Sequence, residues 1–261
     1  MLKQSFCLPC FRAVDQPLAD LFAEAKTIGY VAVETWSPPK EGESLEEIHE
    51  IARSNGLVVA SFTGHDSIDD GLNDPTQWER IEEELVQSID LAKKLSIPGI
   101  ICFSGTRRPG LSDAYGLANF MKGARKIVGY AEEKGVNLNL EVLNSRVDHP
   151  LYMADTVDWA IAACEGVNSA RMKLLFDVYH VQIMEGDLIR NLRRAAPFIG
   201  HVHTAGNPGR HEMDDDQEIN YRGIGRELQR LGYDGYVGHE FFAKGDKMAA
   251  LRSSFDVMVS A

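Results

Sequence analysis

The chain repeats one pattern eight times. Short apolar or β-branched runs at residues 5–11, 30–36, 57–64, 99–105, 136–142, 173–179, 199–204 and 236–242 alternate with longer stretches of helical period. Runs this short and this apolar suit strands buried on both faces, the condition of a parallel sheet covered by helices. Between them lie helical candidates such as "LADLFAEAKTIG", "SLEEIHEIARSNG", "DPTQWERIEEELVQSIDLAKKLS", "LANFMKGARKIVGYAEEKG" and "MADTVDWAIAACEG". Several end in Gly, which takes the left-handed conformation at a helix C-terminus, and "DPTQWE" reads as an N-cap followed by Pro in the first turn. The last helical stretch, "DKMAALRSSFDVMVSA", is short but sufficient to complete a ring. Eight βα units of roughly thirty residues predict an α/β protein, a single-domain (β/α)8 TIM barrel over residues 1–261. An open doubly wound sheet is the competing architecture, but no G-x-G-x-x-G follows the first strand.

Charge narrows the partners. The 27 Lys and Arg against 39 Asp and Glu leave a formal charge of −12 and a pI near 5.1, which repels nucleic acid and anionic membrane surfaces. No apolar stretch reaches the roughly 18 residues of a membrane span. Met1-Leu2-Lys3-Gln4 leads into "SFCLPCF" without an apolar leader, so a cytoplasmic location is expected. Cys7 and Cys10 form a C-x-x-C, but Cys102 and Cys164 stand alone and supply no second pair for zinc. With Leu8 and Pro9 placed inside a first strand rather than at a helix start, the pair is read as structural.

In such a barrel the chemistry sits where the strands end. The fifth run ends in Glu141, the sixth in Asp177 followed by His180, the seventh in His203 and the eighth in Glu240. Taken singly, Glu141 or Glu240 could be a structural carboxylate paired with a cation. Taken together, three carboxylates and an imidazole from consecutive strands converge on one mouth, and they repel unless a cation neutralises them. Burying such charges unpaired within "NLNLEVL" and "YVGHEFF" is costly. The oxygen-rich set with one imidazole predicts one divalent metal ion, Mn2+, Mg2+ or Co2+ ahead of Zn2+. His201 and His239, flanking the ligands, are expected to point to the outer layer.

His180 is expected to face substrate, the competing role being to cap the "VQIMEG" segment. Arg210, in the long loop "AGNPGRHEMDDDQEINY", and Arg146, five residues past Glu141, are basic candidates at the rim, and His65 after the third strand is a further substrate contact. Asp214, Asp215 and Asp216 are read as solvated. Trp36, Tyr115 and Tyr179 are expected to line substrate or a neighbouring subunit, leaving a homo-oligomer open.

The segments "LEVLNSR", "FDVYHVQIMEGD", "GHVHTAGNPGRHE", "QEINY" and "GYDGYVGHEF" resemble the xylose isomerase-like barrel family of sugar isomerases and epimerases, and within it the hydroxypyruvate isomerase group. The likeness covers nearly the whole chain and is most specific over residues 136–242. It implies that Glu141, Asp177, His203 and Glu240 hold one metal and that Glu141 and Glu240 are also the acid/base pair of an aldose–ketose type reaction passing through a cis-enediolate. The substrate it implies is a small sugar or sugar acid, for which Arg146 and Arg210 offer carboxylate-gripping guanidinium groups. One position departs: hydroxypyruvate isomerases often carry Gln at the seventh strand, whereas His203 matches the ketose 3-epimerases.

Three other readings compete. A ketose 3-epimerase would use the same metal and the same Glu pair on a single carbon. A non-catalytic metal or sugar-acid binding barrel would hold ligand without proton exchange. An endonuclease IV-type nuclease would need further zinc ligands and a basic face, which the charge of −12 opposes.

Overall fold

The computed structural model describes residues 1–13, 15–36 and 43–259. Eight parallel strands run β1 Lys3–Cys7, β2 Ala32–Thr35, β3 Val58–Phe62, β4 Gly99–Cys102, β5 Asn137–Glu141, β6 Met172–Asp177, β7 Ile199–Thr204 and β8 Tyr236–His239. Their order in the sheet is β3-β2-β1-β8-β7-β6-β5-β4. The two ends meet through a bridge between Thr63 and Ile101, with Gly64 N donating to Ile101 O at 2.8 Å, so the barrel is nearly closed. Helices lie between the strands: α1 Leu8–Phe11, α2 Leu18–Ile28, α3 Leu45–Ser54, α4 Trp78–Leu95, α5 Asp113–Lys134, α6 Val157–Val167, α7 Val178–Met184, α8 Leu188–Ala195, α9 Tyr221–Arg230 and α10 Lys247–Val259. Among the described residues, no helix is long and apolar enough to cross a membrane.

The helix ends follow local chemistry. Ser44 and Glu47 form a reciprocal capping box at α3, Thr156 caps α6, and Gly135 takes φ +75° after α5. Phe6 on β1 packs edge to face with Phe11, Phe22 and Tyr30, and Phe11 with Phe241, joining β1 to the neighbouring helices.

Most strands are shorter than their apolar runs, and at two of them a residue in the run starts a helix instead. The first strand stops at Cys7, and Leu8–Phe11 form a short helix with Pro9 in its first turn. Proline has no N–H to give a ladder, whereas a first helical turn leaves that N–H unused, so the residue read as strand interior is in fact a helix start. The sixth strand stops at Asp177 rather than Tyr179. The Asp177 Oδ1 accepts from the backbone N–H of Tyr179 at 2.8 Å and of His180 at 3.1 Å, and so starts α7.

The side assigned to His201 is also corrected. His201 and His203 lie two residues apart on β7 and therefore share a face. Both enter the barrel, where both Nε2 atoms meet the Oε2 of Glu34, at 2.6 Å and 3.1 Å. His239 does face the helical layer, stacking edge-on with Tyr30 and bonding Gln4 Oε1 at 2.8 Å.

A buried carboxylate and histidine cluster at the barrel mouth

Glu141, Asp177, His203 and Glu240 each offer one ligand atom, and those atoms lie within 4.8 Å of one another. Strand ends on β5, β6 and β7 carry the first three, and Glu240 directly follows β8. All four are buried. His203 Nδ1 is the centre of the group, 3.2 Å from Glu141 Oε1, 3.3 Å from Glu240 Oε2 and 4.0 Å from Asp177 Oδ2. Trp36 Nε1 donates to Glu240 Oε1 at 2.9 Å and Arg210 Nη2 to Glu240 Oε2 at 2.5 Å.

The electrostatics are those of a site short of positive charge. Burial raises Asp177 to about 7, with Glu141 and Glu240 adding to the shift against the pull of Arg210 and His203. Burial alone would discharge His203, but Glu240, Glu34 and Glu141 hold its pKa well above the usual imidazole range. Burial likewise opposes the charge on Glu240, and the cations Arg210 and His203 outweigh it to keep that carboxyl low. Without another cation the cluster collects protons. A divalent ion is the alternative, and three carboxylates with one imidazole form a donor set of the right charge and softness for one.

A cavity of about 380 Å³ opens above the cluster. Of the four residues, Glu141 and Glu240 line it, while Asp177 and His203 are not among its lining residues. Trp36, Ile68, Phe103, Leu143 and Phe242 make most of the wall apolar, and Arg210, His65 and His149 supply polar groups. Arg210 has φ +56°, an uncommon conformation for a side chain of this size. Its backbone carbonyl accepts from Phe242 N at 2.9 Å, and its guanidinium lies 5.4 Å from the centre of the Tyr179 ring. Both contacts aim the head of Arg210 at Glu240.

His65 is 3% exposed. Its Nε2 accepts from Phe103 N at 2.9 Å, which leaves the proton on Nδ1, a buried donor with no partner among the described residues. Burial lowers its pKa to about 4, so the ring is neutral. His180 is completely buried in the first turn of α7 and is not among the cavity-lining residues. Its Nδ1 accepts from Asn144 N at 3.1 Å, and its Nε2, without a hydrogen-bond partner among the described residues, is 3.7 Å from Asp177 Oδ2.

The remaining candidates fall elsewhere. Arg146 is exposed, donates to Ile183 O at 3.0 Å and does not line the cavity. Tyr115 is 71% exposed on α5, whereas Tyr179 is buried with its hydroxyl donating to Asp148 Oδ2 at 2.8 Å. Asp214 and Asp216 pair with Lys244 at the surface.

Sequence reasoning missed Glu34, buried on β2 against both histidines of β7. The signal was present: a lone carboxylate inside "YVAVETW" is as costly as the one inside "NLNLEVL".

Residues 22–261 match the sequence profile of the xylose isomerase-like TIM barrel. The chain belongs to that family. It is 31% identical over 237 residues to a putative hydroxypyruvate isomerase of Homo sapiens, covering 87% of this chain and 84% of the relative. It is 30% identical over 246 residues to a 2-oxo-tetronate isomerase of Cupriavidus necator, covering 89% and 90%. Among solved structures it is similar to an AP endonuclease, family 2, from Brucella melitensis, with a TM-score of 0.83, 24% identity and coverage of 96% and 97%. At that identity the last likeness speaks to fold alone.

Proposed function

We propose that this protein is a divalent-metal-dependent isomerase of small 3-hydroxy-2-oxo acids, with hydroxypyruvate converted to 2-hydroxy-3-oxopropanoate as the leading reaction. The observation that carries the reading is that Glu141 and Glu240 line the same cavity as Arg210. The two relatives are named for hydroxypyruvate and for 2-oxo-tetronate, acids that share a carboxylate, a ketone and a neighbouring hydroxyl.

Glu141, Asp177, His203 and Glu240 are the residues that would hold the ion, Mn2+, Mg2+ or Co2+ ahead of Zn2+. When bound, the ion supplies a Lewis acid for the negative charge that develops on the two substrate oxygens. Arg210 grips the substrate carboxylate and fixes which end of the molecule faces the cluster. One of the two glutamates removes the proton from C3, leaving an enediol-type intermediate, and the other delivers a proton to C2. The oxygens exchange a single proton between them, so the acid is isomerised without net gain or loss of atoms. The neutral His65 offers its Nδ1–H to a substrate oxygen. The apolar wall around Phe103, Leu143 and Phe242 limits water at the carbon that carries charge.

The test is proton NMR in D2O on metal-loaded protein, with the reaction stopped by chelator before recording, offering hydroxypyruvate, 2-oxo-tetronate and a panel of ketohexoses. Deuterium entering C2 of 2-hydroxy-3-oxopropanoate is the expected result. Exchange only with formation of a C3-inverted ketose would make the protein an epimerase, and no exchange with any of them would leave a binding barrel.

A further inference from the structure

Glu34 takes no part in the chemistry above, yet it spans the barrel interior. It starts on β2 and reaches β7, although β1 and β8 lie between those strands in the sheet. The path is open because the facing residues are small. Ser5 on β1 is in register with Gly238 on β8, and Gly238 is in register with His203. A Cβ at Gly238 would collide with the Glu34 carboxylate, so glycine is the residue that lets the carboxylate through. Ser5 Oγ donates to Glu34 Oε1 at 2.9 Å, while His201 and His203 share Oε2.

Resting on the metal-site reading above, we infer that Glu34 is the positioning residue for His203: its carboxylate holds the imidazole by Nε2–H and thereby commits Nδ1, the nitrogen facing Glu141, Asp177 and Glu240, to the metal. A neutral imidazole has one N–H and one lone pair, and an acceptor at one nitrogen fixes which is which. A carboxylate in that place also raises the basicity of the opposite nitrogen, strengthening it as a ligand. His201 acts on Glu34 rather than on the ion. It donates to the same Oε2 at 2.6 Å and, with Ser5 on Oε1, fixes the plane of the carboxylate.

The experiment measures Co2+ binding to full-length wild type, Glu34→Gln and Glu34→Asp, by calorimetric titration and by the visible absorption of the bound ion, together with the Tm of each metal-free protein. Glutamine removes the charge and keeps the length, whereas aspartate keeps the charge and lacks the reach. Both variants are expected to bind Co2+ about 10- to 100-fold more weakly, with an altered absorption band, at one ion per chain in the wild type. Wild-type affinity and spectrum in both variants, whether or not the Tm falls, would reduce Glu34 to a packing role and overturn the inference alone. A wild type that binds no Co2+ would overturn the metal-site reading and this inference with it. Two ions per wild-type chain would make Glu34, His201 and His203, whose ligand atoms also lie within 4.8 Å of one another, a second metal site instead.

Discussion

Arg210 Nη2 donates to Glu240 Oε2 at 2.5 Å, joining the cavity's guanidinium to one of its two carboxylates. Replacing Arg210 with Met therefore does two separable things. It removes the grip on a substrate carboxylate, raising KM roughly 10- to 100-fold, the equivalent of about 1.5–3 kcal/mol for a charged hydrogen bond. It also releases Glu240, whose carboxyl is held low by Arg210 and His203 against burial. The pKa of Glu240 then rises, and the acid limb of the pH–rate profile moves to higher pH. Steady-state kinetics across pH read both effects.

Glu240→Gln and Glu141→Gln should each lower kcat by ~100- to 10,000-fold, the usual worth of a positioned acid or base, with the barrel still folded. Circular dichroism checks the fold and single-turnover rates check the chemistry. Near-normal turnover in Glu240→Gln would remove that residue from the mechanism.

Asp177 ties metal binding to stability. Its folded pKa of about 7 lies above the ordinary 3.8, so in the metal-free protein the folded state binds more protons between those values. The stabilisation this gives is complete below about pH 3.8 and is lost as pH rises through about 7. At pH 8 the ionised carboxylate is a burden, and Asp177→Asn, which keeps the oxygen that caps α7, should stabilise the metal-free protein by on the order of 2–4 kcal/mol. The same variant should lose metal. In the wild type, metal affinity should fall about tenfold per pH unit below pH 7 as protons compete for this carboxylate. Denaturant unfolding and metal titration at several pH values test the two halves.

His65 and His180 should separate by readout. His65→Gln should raise KM, because it changes a cavity donor. The wild-type protein should also lose its stability advantage over this variant as pH falls from 6.5 through about 4, since His65 stays neutral when folded and takes a proton when unfolded. That loss amounts to about 3 kcal/mol. His180→Ala should weaken turnover more than metal content. An unchanged rate would leave His180 a packing residue beneath Asp177.

The sequence exposed the strand ends because a carboxylate inside an apolar run has few inexpensive explanations, and Glu141, Asp177 and Glu240 all sit in such runs. Glu34 carries the same mark, but its meaning depends on Gly238 and His201, whose approach is set by barrel closure and register rather than by local spacing. Arg146 is five residues from Glu141 in sequence, but the turn that follows β5 carries its guanidinium to the Ile183 carbonyl and not into the cavity. The short helix at Leu8–Phe11 is hidden in the sequence because "SFCLPCF" is apolar from Phe6 onward, and only Pro9 distinguishes strand from helix there.

Asp177 ends a strand with one oxygen and faces the ligand cluster with the other, so the state of the cluster is written into the first peptide groups of α7. The amides of Tyr179 and His180 are thus built-in reporters. Their chemical shifts and exchange rates register whether Asp177 carries a proton or an ion, which turns a spectroscopically silent metal such as Mg2+ into one that can be followed from the backbone alone.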